Sequence, residues 1–354
     1  MSYKALDPQD FLVSADTITA PCWSNFSNPL LSMYTSSVQL NGTSGNYYLN
    51  IYNAEPLSDS SAEIQFNIAY GNGKGSGSLL YDAGINGLSP TRTVYGQFRN
   101  LIYGDENTQF SFSSVTPTQQ DFYAITVDRA RFKESLFPGS LSLTLYSSSK
   151  SITLTDNSLT TTTISYCDAG RVFQIVSGSN GIITTTSAPG ATSNGMTVSG
   201  SYGLFLPDIG TIILNAAALD LPHASGGIAL NTLRSSNVNN NNPLRLFSTS
   251  SGTIGLITGS ITGSFSLNSS ETITSDFVFC RARNAEFNYT ENPSFISGST
   301  GAVLYSLFVN SPTTYITTVG MYNDQNELLA VAKLSKPLKK DFTKEALVRV
   351  KLDF

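Results

Sequence analysis

Histidine, tryptophan and charged residues are scarce in this chain of 354 residues, which has one histidine, one tryptophan and three cysteines. Charged residues make up 13% of the sequence, roughly half of their usual share in soluble proteins. The single histidine, His223, excludes a metal site built from several histidines. No G-x-S-x-G motif accompanies it, so a serine hydrolase of that type is not expected either.

Long apolar runs are also missing. The first 20 residues carry charged and polar side chains where a signal peptide would have a continuous apolar segment, and no later window is apolar enough to cross a membrane. We therefore expect a chain made in a cytoplasm, with no membrane contact. The cysteines Cys22, Cys167 and Cys280 are odd in number and far apart, which favours buried free thiols over a disulfide or a metal site.

The net charge of −5 is unevenly distributed along the chain. Residues 333–354 hold 7 of the 20 basic and 3 of the 25 acidic residues, so this end carries +4 and the rest of the chain −9. Phosphate binding requires an extended basic face, which one short basic end does not provide. We expect no nucleic-acid binding and no cofactor.

Two local patterns resemble catalytic motifs. Lys74 lies in the glycine-rich segment 71–77, but its spacing differs from that of a phosphate-binding loop, and a hairpin turn is the simpler interpretation. Asp121, Asp128 and Glu134 lie within fourteen residues, and a glycoside hydrolase needs only two acids. The alternative is that the charged residues between 128 and 134 form ordinary ion pairs at a strand end or turn.

Alternating polar and apolar residues predict most of the secondary structure. The segments 46–55, 62–71, 140–156 and 259–268 alternate with a period of two, as strands with one solvent-facing side do. Clusters of glycine, asparagine and serine separate them at short intervals. The sequence therefore predicts a mainly β protein with antiparallel sandwich or barrel domains, long Ser/Thr/Gly/Asn-rich loops and few short helices.

Helical signals are short, and no helix longer than about three turns is expected. The segment 7–15 suits the start of a short helix, 126–137 suits one helical turn, and 213–221 suits a strand that runs into a helical turn. Residues 178–200 and the asparagine run 237–242 are the expected long loops or hinges. We predict boundaries near residues 150 and 270, with an N-terminal β domain (1–150), a middle β-rich region (151–270) and a C-terminal β unit (271–354).

The C-terminal stretch predicts a compact β unit. Residues 313–322 form an expected strand, a turn follows at Asn323 and Asp324, and a second strand runs to Pro337. The segment 345–354 then alternates again, with Ala346, Val348, Val350 and Leu352 on one side and charged residues on the other.

This stretch resembles a segment found in tail-fibre and baseplate proteins of contractile-tailed bacteriophages. That segment reads close to I-T-E-I-G-L-Y-D, a short turn, and L-I-A-V-A-K-L-P; residues 317–323 fit its first half and residues 328–334 its second. Thr318 replaces the usual acidic residue, and the segment closes this chain, whereas in fibres it lies near the N-terminus. The segments 89–106, 122–145 and 281–295 are similar to a virion structural protein of T4-like phages of aquatic bacteria.

The resemblance implies a structural component of a phage virion, in the tail or baseplate, without catalytic activity, that assembles in the bacterial host cytoplasm. Its partners would be other virion proteins and further copies of itself, and binding to a host-surface glycan remains an alternative. The expected interface comprises Tyr315, Ile316, Val319, Met321, Tyr322, Leu329, Val331, Lys333, Lys336, Lys339 and Lys340. A receptor- or glycan-binding adhesin of the tail and a carboxylate-based glycosidase remain alternatives.

Overall fold

The fold is mainly β. A computed structural model describes residues 3–35, 48–75, 91–110, 112, 120–147, 150–184, 202–234, 241–248, 254–258, 261–289 and 292–353. Strands account for 45% and helices for 15% of the structure, and the largest sheet is an antiparallel, curled half-barrel. Average globular proteins contain about 20–25% strand and 30–35% helix. The prediction of a mainly β fold with few short helices is therefore confirmed.

The chain divides into two compact units. Ile18–Glu271 forms one of them, here called the core unit. Met1–Thr17 and Thr272–Phe354 together form the other, here called the terminal unit. The chain crosses between the units inside two strands, β1 (Phe11–Pro21) and β18 (Asn268–Ala282).

The core unit holds the remaining strands up to residue 267. In the part of the chain that the structure describes they are β2 (Tyr34–Thr35), β3 (Tyr48–Tyr52), β4 (Ile64–Asn72), β5 (Asp121–Val127), β6 (Ser135–Leu136), β7 (Ser142–Ser147), β8 (Lys150–Asp156), β9 (Ser165–Cys167), β10 (Gly170–Ser179), β11 (Ile182–Ile183), β12 (Gly203–Leu206), β13 (Thr211–Asn215), β14 (Ile254–Gly255), β15 (Ile257–Thr258), β16 (Ile261–Thr262) and β17 (Phe265–Ser266). Its helices are α1 (Thr91–Tyr103), α2 (Ala216–Asp220) and α3 (Asn242–Phe247), with 3-10 turns at Arg129–Arg131, Pro207–Ile209 and His223–Ser225.

Thirteen strands of the core unit form its large sheet. The main path runs β14-β7-β8-β10-β12-β13-β5-β4-β3-β2, and β9, β11 and β17 pair at its side. The predicted strands in 46–55, 62–71 and 140–156 are confirmed as β3, β4 and the β7–β8 pair, and that in 259–268 contains β16 and β17.

Alternation along the central strand β5 places side chains in two apolar clusters on opposite faces. Tyr123, Ile125 and Val127 belong to the larger cluster, whereas Phe122 and Ala124 belong to the smaller one. Every residue of β5 except Thr126 is buried, because both faces of the sheet are covered at this point. Such a strand has no solvent-facing side.

Helix α1 covers the smaller cluster and was not predicted from the sequence. Tyr95, Phe98 and Ile102 recur at helical spacing and face the sheet. The Tyr95 ring stacks on Phe122 with centroids 5.5 Å apart. Gly71 of β4 allows this approach, because a Cβ atom there would lie 2.8 Å from the Phe122 ring and 3.1 Å from the Cα atom of Tyr95.

The terminal unit is built from few strands. Its main sheet runs β1-β18-β21, with β21 at Ala346–Asp353, and Val278 pairs with Val350 in antiparallel register. The fourth strand of this sheet, β6, pairs with the first residues of β18, at Ser269 and Ser270. A separate two-stranded ribbon consists of β19 (Thr314–Tyr322) and β20 (Leu328–Lys340). The unit also contains the short helix α4 (Ser306–Asn310) and a 3-10 turn at Pro8–Asp10.

The predicted helical turns and loops agree with the structure in part. The strand-to-helix run in 213–221 is confirmed by β13 and α2, and the turn in 126–137 by the 3-10 turn at Arg129–Arg131. In 7–15 only Pro8–Asp10 is helical, because the β-branched and aromatic residues that follow continue as β1. Most of the two loops predicted at 178–200 and 237–242, namely residues 185–200 and 237–240, lies outside the described residues. The described residues 178–184 contain the end of β10 and β11, so the predicted loop does not begin at 178, and residue 242 begins α3.

The predicted boundaries fall at contrasting places. The one near 150 lies between β7 and β8, which pair with each other from Leu143–Leu154 to Ser147–Lys150. The one near 270 lies next to the division between Glu271 and Thr272.

Candidate interaction surface

The β19–β20 ribbon presents two different faces. On one face, Ile316 pairs with Leu338, Val319 with Ala332 and Met321 with Ala330, and all six residues are half-buried. On the other face, Tyr315 pairs with Lys339, Thr318 with Lys333 and Gly320 with Val331, and all six are exposed. Alternation along both strands therefore separates a half-buried apolar face from an exposed face that mixes apolar residues and lysines.

Pro337 does not end the second strand, as the sequence had suggested. The register shifts between Ile316 and Thr318, and β20 carries the extra residues of this bulge, among them Pro337. A proline is tolerated at a bulge, because no ladder hydrogen bond requires its missing N–H. The strand therefore continues through Pro337 to Lys340.

The predicted turn at the tip of the ribbon is confirmed. The side-chain oxygen of Asn323 accepts hydrogen bonds from the backbone N–H groups of Gln325 and Glu327, at 3.0 and 2.8 Å. The backbone N–H of Asn323 donates to the Glu327 carbonyl at 3.0 Å. Asn326 takes the left-handed conformation, with φ of 62°, that asparagine adopts more readily than most residues.

The base of the ribbon is held by the turn at residues 283–289. Lys340 donates from its Nζ to the carbonyl oxygens of Asn284 and Asp341 and to the side-chain oxygen of Asn288, at 2.9, 3.0 and 2.9 Å. Thr314, the cross-strand partner of Lys340, donates from Oγ1 to the carbonyl of Phe287 at 2.7 Å. Both strands are thus anchored to the same turn.

Lys340 is 0% exposed, so the expectation that it would be free to meet a partner is wrong. Its three ammonium hydrogens match three oxygen acceptors, which compensates the lost hydration of the charge. Sequence position alone could not separate it from its neighbour Lys339, whose Nζ lies 4.0 Å from the Asp341 carboxylate.

The other predicted interface residues lie on the same ribbon but on both of its faces. Tyr315, Leu329 and Val331 are 62%, 69% and 57% exposed, and Tyr322 is exposed as well. Ile316, Val319 and Met321 lie on the half-buried face. Lys333, Lys336 and Lys339 are exposed, and Lys333 and Lys339 share the face of Tyr315, Leu329 and Val331, whereas Lys336 lies in the bulge.

Exposed apolar side chains are concentrated in the terminal unit. Among the described residues, 28 large hydrophobic side chains are exposed, and 18 of them belong to this unit, although it contains only 95 of the 282 described residues. Outside the ribbon they include Tyr289, Leu304, Tyr305, Leu307 and Val309. Contiguous apolar patches mark surfaces that other molecules cover, whereas single exposed apolar side chains are common on any protein.

The residues considered for catalysis are used in local structure. The Nε2 atom of His223 lies 3.2 Å from the carbonyl oxygen of Ser151. Asp128 caps the 3-10 turn by accepting from the Ala130 N–H at 2.9 Å. Glu134 is exposed. Lys74, in the glycine-rich segment, donates its backbone N–H to the Asn72 side chain in a turn, and the following residues 76–90 lie outside the described ones.

Two basic residues near Asp128 form ion pairs with acids from distant parts of the chain. Arg131 bonds to Glu63 at 2.7 Å, and Lys133 bonds to Glu271 at 2.5 Å. The segment therefore forms ion pairs, as predicted, but the acids of these two pairs, Glu63 and Glu271, lie outside it. The Lys133–Glu271 pair lies at the surface, where such a bond contributes little to stability, whereas the Arg131 side chain is only 14% exposed.

A polar network around Asp121 escaped the sequence analysis. The guanidinium of Arg234 bonds to Asp121 at 2.9 Å and to Asp220 at 2.7 Å. Asp121 also accepts from the hydroxyl of Tyr70 at 3.0 Å, and Asp220 accepts from the hydroxyl of Thr232 at 2.7 Å. Burial raises the pKa of the Asp121 carboxyl, and the charge of Arg234 opposes that shift.

This network links β5 to α2 and the segment that follows it. Its two acids, Asp121 and Asp220, lie 99 residues apart in the sequence. The single positive charge of the arginine offsets half of the charge that the two acids carry when both are ionised. The sequence offered no spacing that would connect them.

The cysteines are free among the described residues, with Cys22 buried and Cys167 and Cys280 half-buried. Burial raises the pKa of the Cys22 thiol to about 12. Within the described ranges, no group of three or more His, Cys, Asp or Glu side chains is placed to hold a metal ion. Nor do those ranges contain a helix with the length and hydrophobicity that crossing a membrane requires.

Comparisons of the chain with protein-family models, curated proteins and solved structures found no match.

Proposed function

We propose that this protein is a structural component of a phage virion, in the tail or baseplate, and that its terminal unit attaches it to neighbouring chains. The observation that carries the proposal is the excess of exposed apolar side chains in the terminal unit. The resemblance of residues 313–340 to a segment of phage tail-fibre and baseplate proteins supplies the setting.

The make-up of the ribbon supports an attachment role. Isolated two-stranded ribbons are marginally stable in water, and stable sheets contain three or more strands or pack against another element. Leu329 and Val331 expose more than half of their side-chain surface on the outer face. A partner that covers this face would remove apolar surface from water and stabilise the ribbon.

The three exposed lysines make the ribbon positively charged. Lys333 and Lys339 lie on the exposed face of β20, Lys336 is exposed in the bulge, and the chain before residue 333 carries a net charge of −9. Charges at the rim of an interface act on encounter rate and on the choice of partner more than on affinity. The partner we propose is therefore a virion chain with an acidic, partly apolar surface.

The test is the occupancy of variants in purified particles. A truncation after Asn310 removes the ribbon, and we expect it to abolish incorporation. The triple replacement of Lys333, Lys336 and Lys339 by serine keeps the apolar face, and we expect slower incorporation with a weaker dependence on salt.

Lys340 stays unchanged in the triple variant, because it is buried and its loss would disturb folding. Lys150→Ser, at an exposed lysine of the core unit, is the matched control and should incorporate normally. Normal occupancy of a soluble truncated chain would contradict the attachment role.

A further inference from the structure

The β18–β21 pair of the terminal unit has one buried and one solvent-facing side. Val278, Ala282, Ala346 and Val350 are buried, and all four lie on the side given by the even-numbered residues of the two strands. Successive side chains of a strand alternate, so the odd-numbered residues lie on the opposite side. That side, here called the cationic sheet face, comprises Phe277, Phe279, Arg281, Leu347, Arg349 and Lys351.

Cations form the outermost layer of the cationic sheet face. In the antiparallel register Phe279 pairs with Arg349, and Phe277 pairs with Lys351. The two phenylalanines are half-buried, whereas Arg349, Lys351 and Arg281 are exposed. A molecule that approaches this face therefore meets the cations before it meets the rings.

The Phe277 ring holds two of these cations in place. The guanidinium carbon of Arg349 lies 5.3 Å from the centroid of the Phe277 ring, and the Nζ atom of Lys351 lies 5.9 Å from it. Both distances fall within the range of cation–π attraction. A guanidinium that lies over a ring keeps the N–H groups at its edge available, and these match the two oxygens of a carboxylate.

The positive charge of this face is only partly compensated within the chain. Lys351 pairs with Asp353 at 2.8 Å. Among the described residues, Arg281 and Arg349 form no ion pair. Leu347, which is 55% exposed, lies opposite Arg281 and two positions from Arg349. The face therefore offers two guanidinium groups without a carboxylate next to an exposed apolar side chain.

We propose that the cationic sheet face binds an acidic segment of another protein chain, whose carboxylates pair with Arg281 and Arg349 and whose apolar side chain covers Leu347. This docking surface consists of residues other than those of the ribbon. The inference rests on the proposed virion function in one respect, because the partner is sought among virion proteins.

Charge and exposure favour a protein over a nucleic acid as the partner. Phosphate backbones are bound by extended basic faces, whereas here Asp353 lies beside Lys351 and reduces the positive charge. Base stacking requires open aromatic rings, and Arg349 and Lys351 lie over Phe277. Arginines beside an apolar side chain are instead typical of protein interfaces.

Photocrosslinking in purified particles identifies the molecule that covers this face. A benzophenone amino acid replaces Leu347 in one variant, and Leu159, a core-unit residue that is 64% exposed, in the matched control. We expect position 347 to crosslink to one virion protein about tenfold more than position 159 does. A yield no higher than that of position 159, or a crosslink to nucleic acid, would overturn the proposal.

Charge variants test whether the partner segment is acidic. Arg281→Glu combined with Arg349→Glu should lower the yield at position 347 about tenfold per incorporated chain, because the carboxylates would then repel. Arg92→Glu, at an exposed arginine of α1, is the control and should leave the yield unchanged. An undiminished yield in a charge-reversed chain would overturn the proposal.

A second pair of replacements guards against misfolding of the charge-reversed chain. Arg281→Met combined with Arg349→Met keeps apolar stems over the sheet and removes only the charge, so the denaturation midpoint should stay unchanged while the yield falls. A folded methionine variant with the yield of the unmodified face would contradict the role of the two arginines.

The ribbon variant separates this inference from the proposed function. Slow incorporation of the triple serine variant of Lys333, Lys336 and Lys339, together with no specific crosslink at position 347, would refute the cationic sheet face alone. Absence of the unmodified chain from purified particles would refute both proposals.

Discussion

The core unit and the terminal unit are both built from antiparallel strands, but they are stabilised by different means. In the described ranges the core unit buries 45 apolar residues, and 44 of them form two clusters on the faces of one sheet. The terminal unit buries four, Val278, Ala282, Ala346 and Val350. Polar bonds hold it together instead, among them those from Lys4 and Lys340 to the turn at residues 283–289 and its flank.

The difference indicates how each unit relates to solvent. Apolar burial is the main favourable contribution to folding, so the core unit has the means to fold as an isolated chain. The terminal unit exposes most of its large apolar side chains and relies on strand pairing and hydrogen bonds, each of which contributes little net stability. It is the part whose stability gains most from contact with other chains.

The largest expected effect is a cavity in the core unit. Phe66 is fully buried, and its ring centroid lies 5.2 Å from that of Phe265 and 6.2 Å from that of Trp23. We expect Phe66→Ala to lower the free energy of unfolding by about 3–5 kcal/mol. Phe26→Ala, at a phenylalanine of the same unit that is 82% exposed, should change it by less than about 0.5 kcal/mol. Chemical denaturation measures both, and equal losses would contradict the assignment of the core.

Removal of the buried ammonium should weaken the terminal unit selectively. In Lys340→Met, three oxygen acceptors lose their donor, which costs about 1–3 kcal/mol. Hydrogen exchange should accelerate in the ribbon and in residues 283–289, while exchange in β5 stays unchanged. Lys339→Met, at an exposed neighbour, serves as the control and should leave both regions as they were. Faster exchange in β5 would show that the two units unfold together.

Loss of Arg234 should produce an effect that depends on pH. The folded-state pKa of Asp121 is raised by burial, so its contribution to stability is present at low pH and is lost as pH rises through the folded-state pKa. Arg234→Met removes the charge that opposes the shift, and the pKa should rise further.

Because Arg234 is half exposed, we expect a modest loss of about 1–2 kcal/mol at pH 7 and a smaller one near pH 4. Denaturation at both pH values tests the sign, with Arg92→Met at an exposed arginine of α1 as the control. A larger loss at pH 4 than at pH 7 would contradict the account.

The smallest expected effect on stability is at the exposed face of the ribbon. Leu329 and Val331 make few contacts that folding requires, so Leu329→Ser with Val331→Ser should change the free energy of unfolding by less than about 0.5 kcal/mol. The same double variant should reduce occupancy in particles, because it removes apolar contact area from the proposed interface. A large loss of stability together with normal occupancy would show that Leu329 and Val331 serve the folding of the terminal unit rather than an interface.

The sequence predicted the strands better than the contacts between them. Alternation identified β3, β4, β7 and β8, because each has one face that packs and one that meets solvent or a polar layer. Helix α1 was missed although Tyr95, Phe98 and Ile102 recur at helical spacing, since Gly96 and the β-branched residues near its start lower the helical preference.

Residues that act through distant partners were beyond sequence reasoning. Lys340 looks like its neighbours in the lysine-rich tail, and only the turn at residues 283–289, more than 50 positions away, makes it a buried anchor. Asp121 and Arg234 are likewise joined only by the fold. Pro337 was read as a strand end because its bulge depends on the register with β19.

Thiol accessibility at the ribbon in free and assembled protein tests the central claim, that other chains cover the exposed face of the terminal unit. Leu329→Cys places a thiol at a site that is 69% exposed, and Leu159→Cys places one at a site of the core unit that is 64% exposed. In the free chain both should react with a maleimide at similar rates. In purified particles we expect the cysteine at position 329 to be protected at least tenfold relative to that at position 159; equal reactivity of the two sites there would contradict the claim.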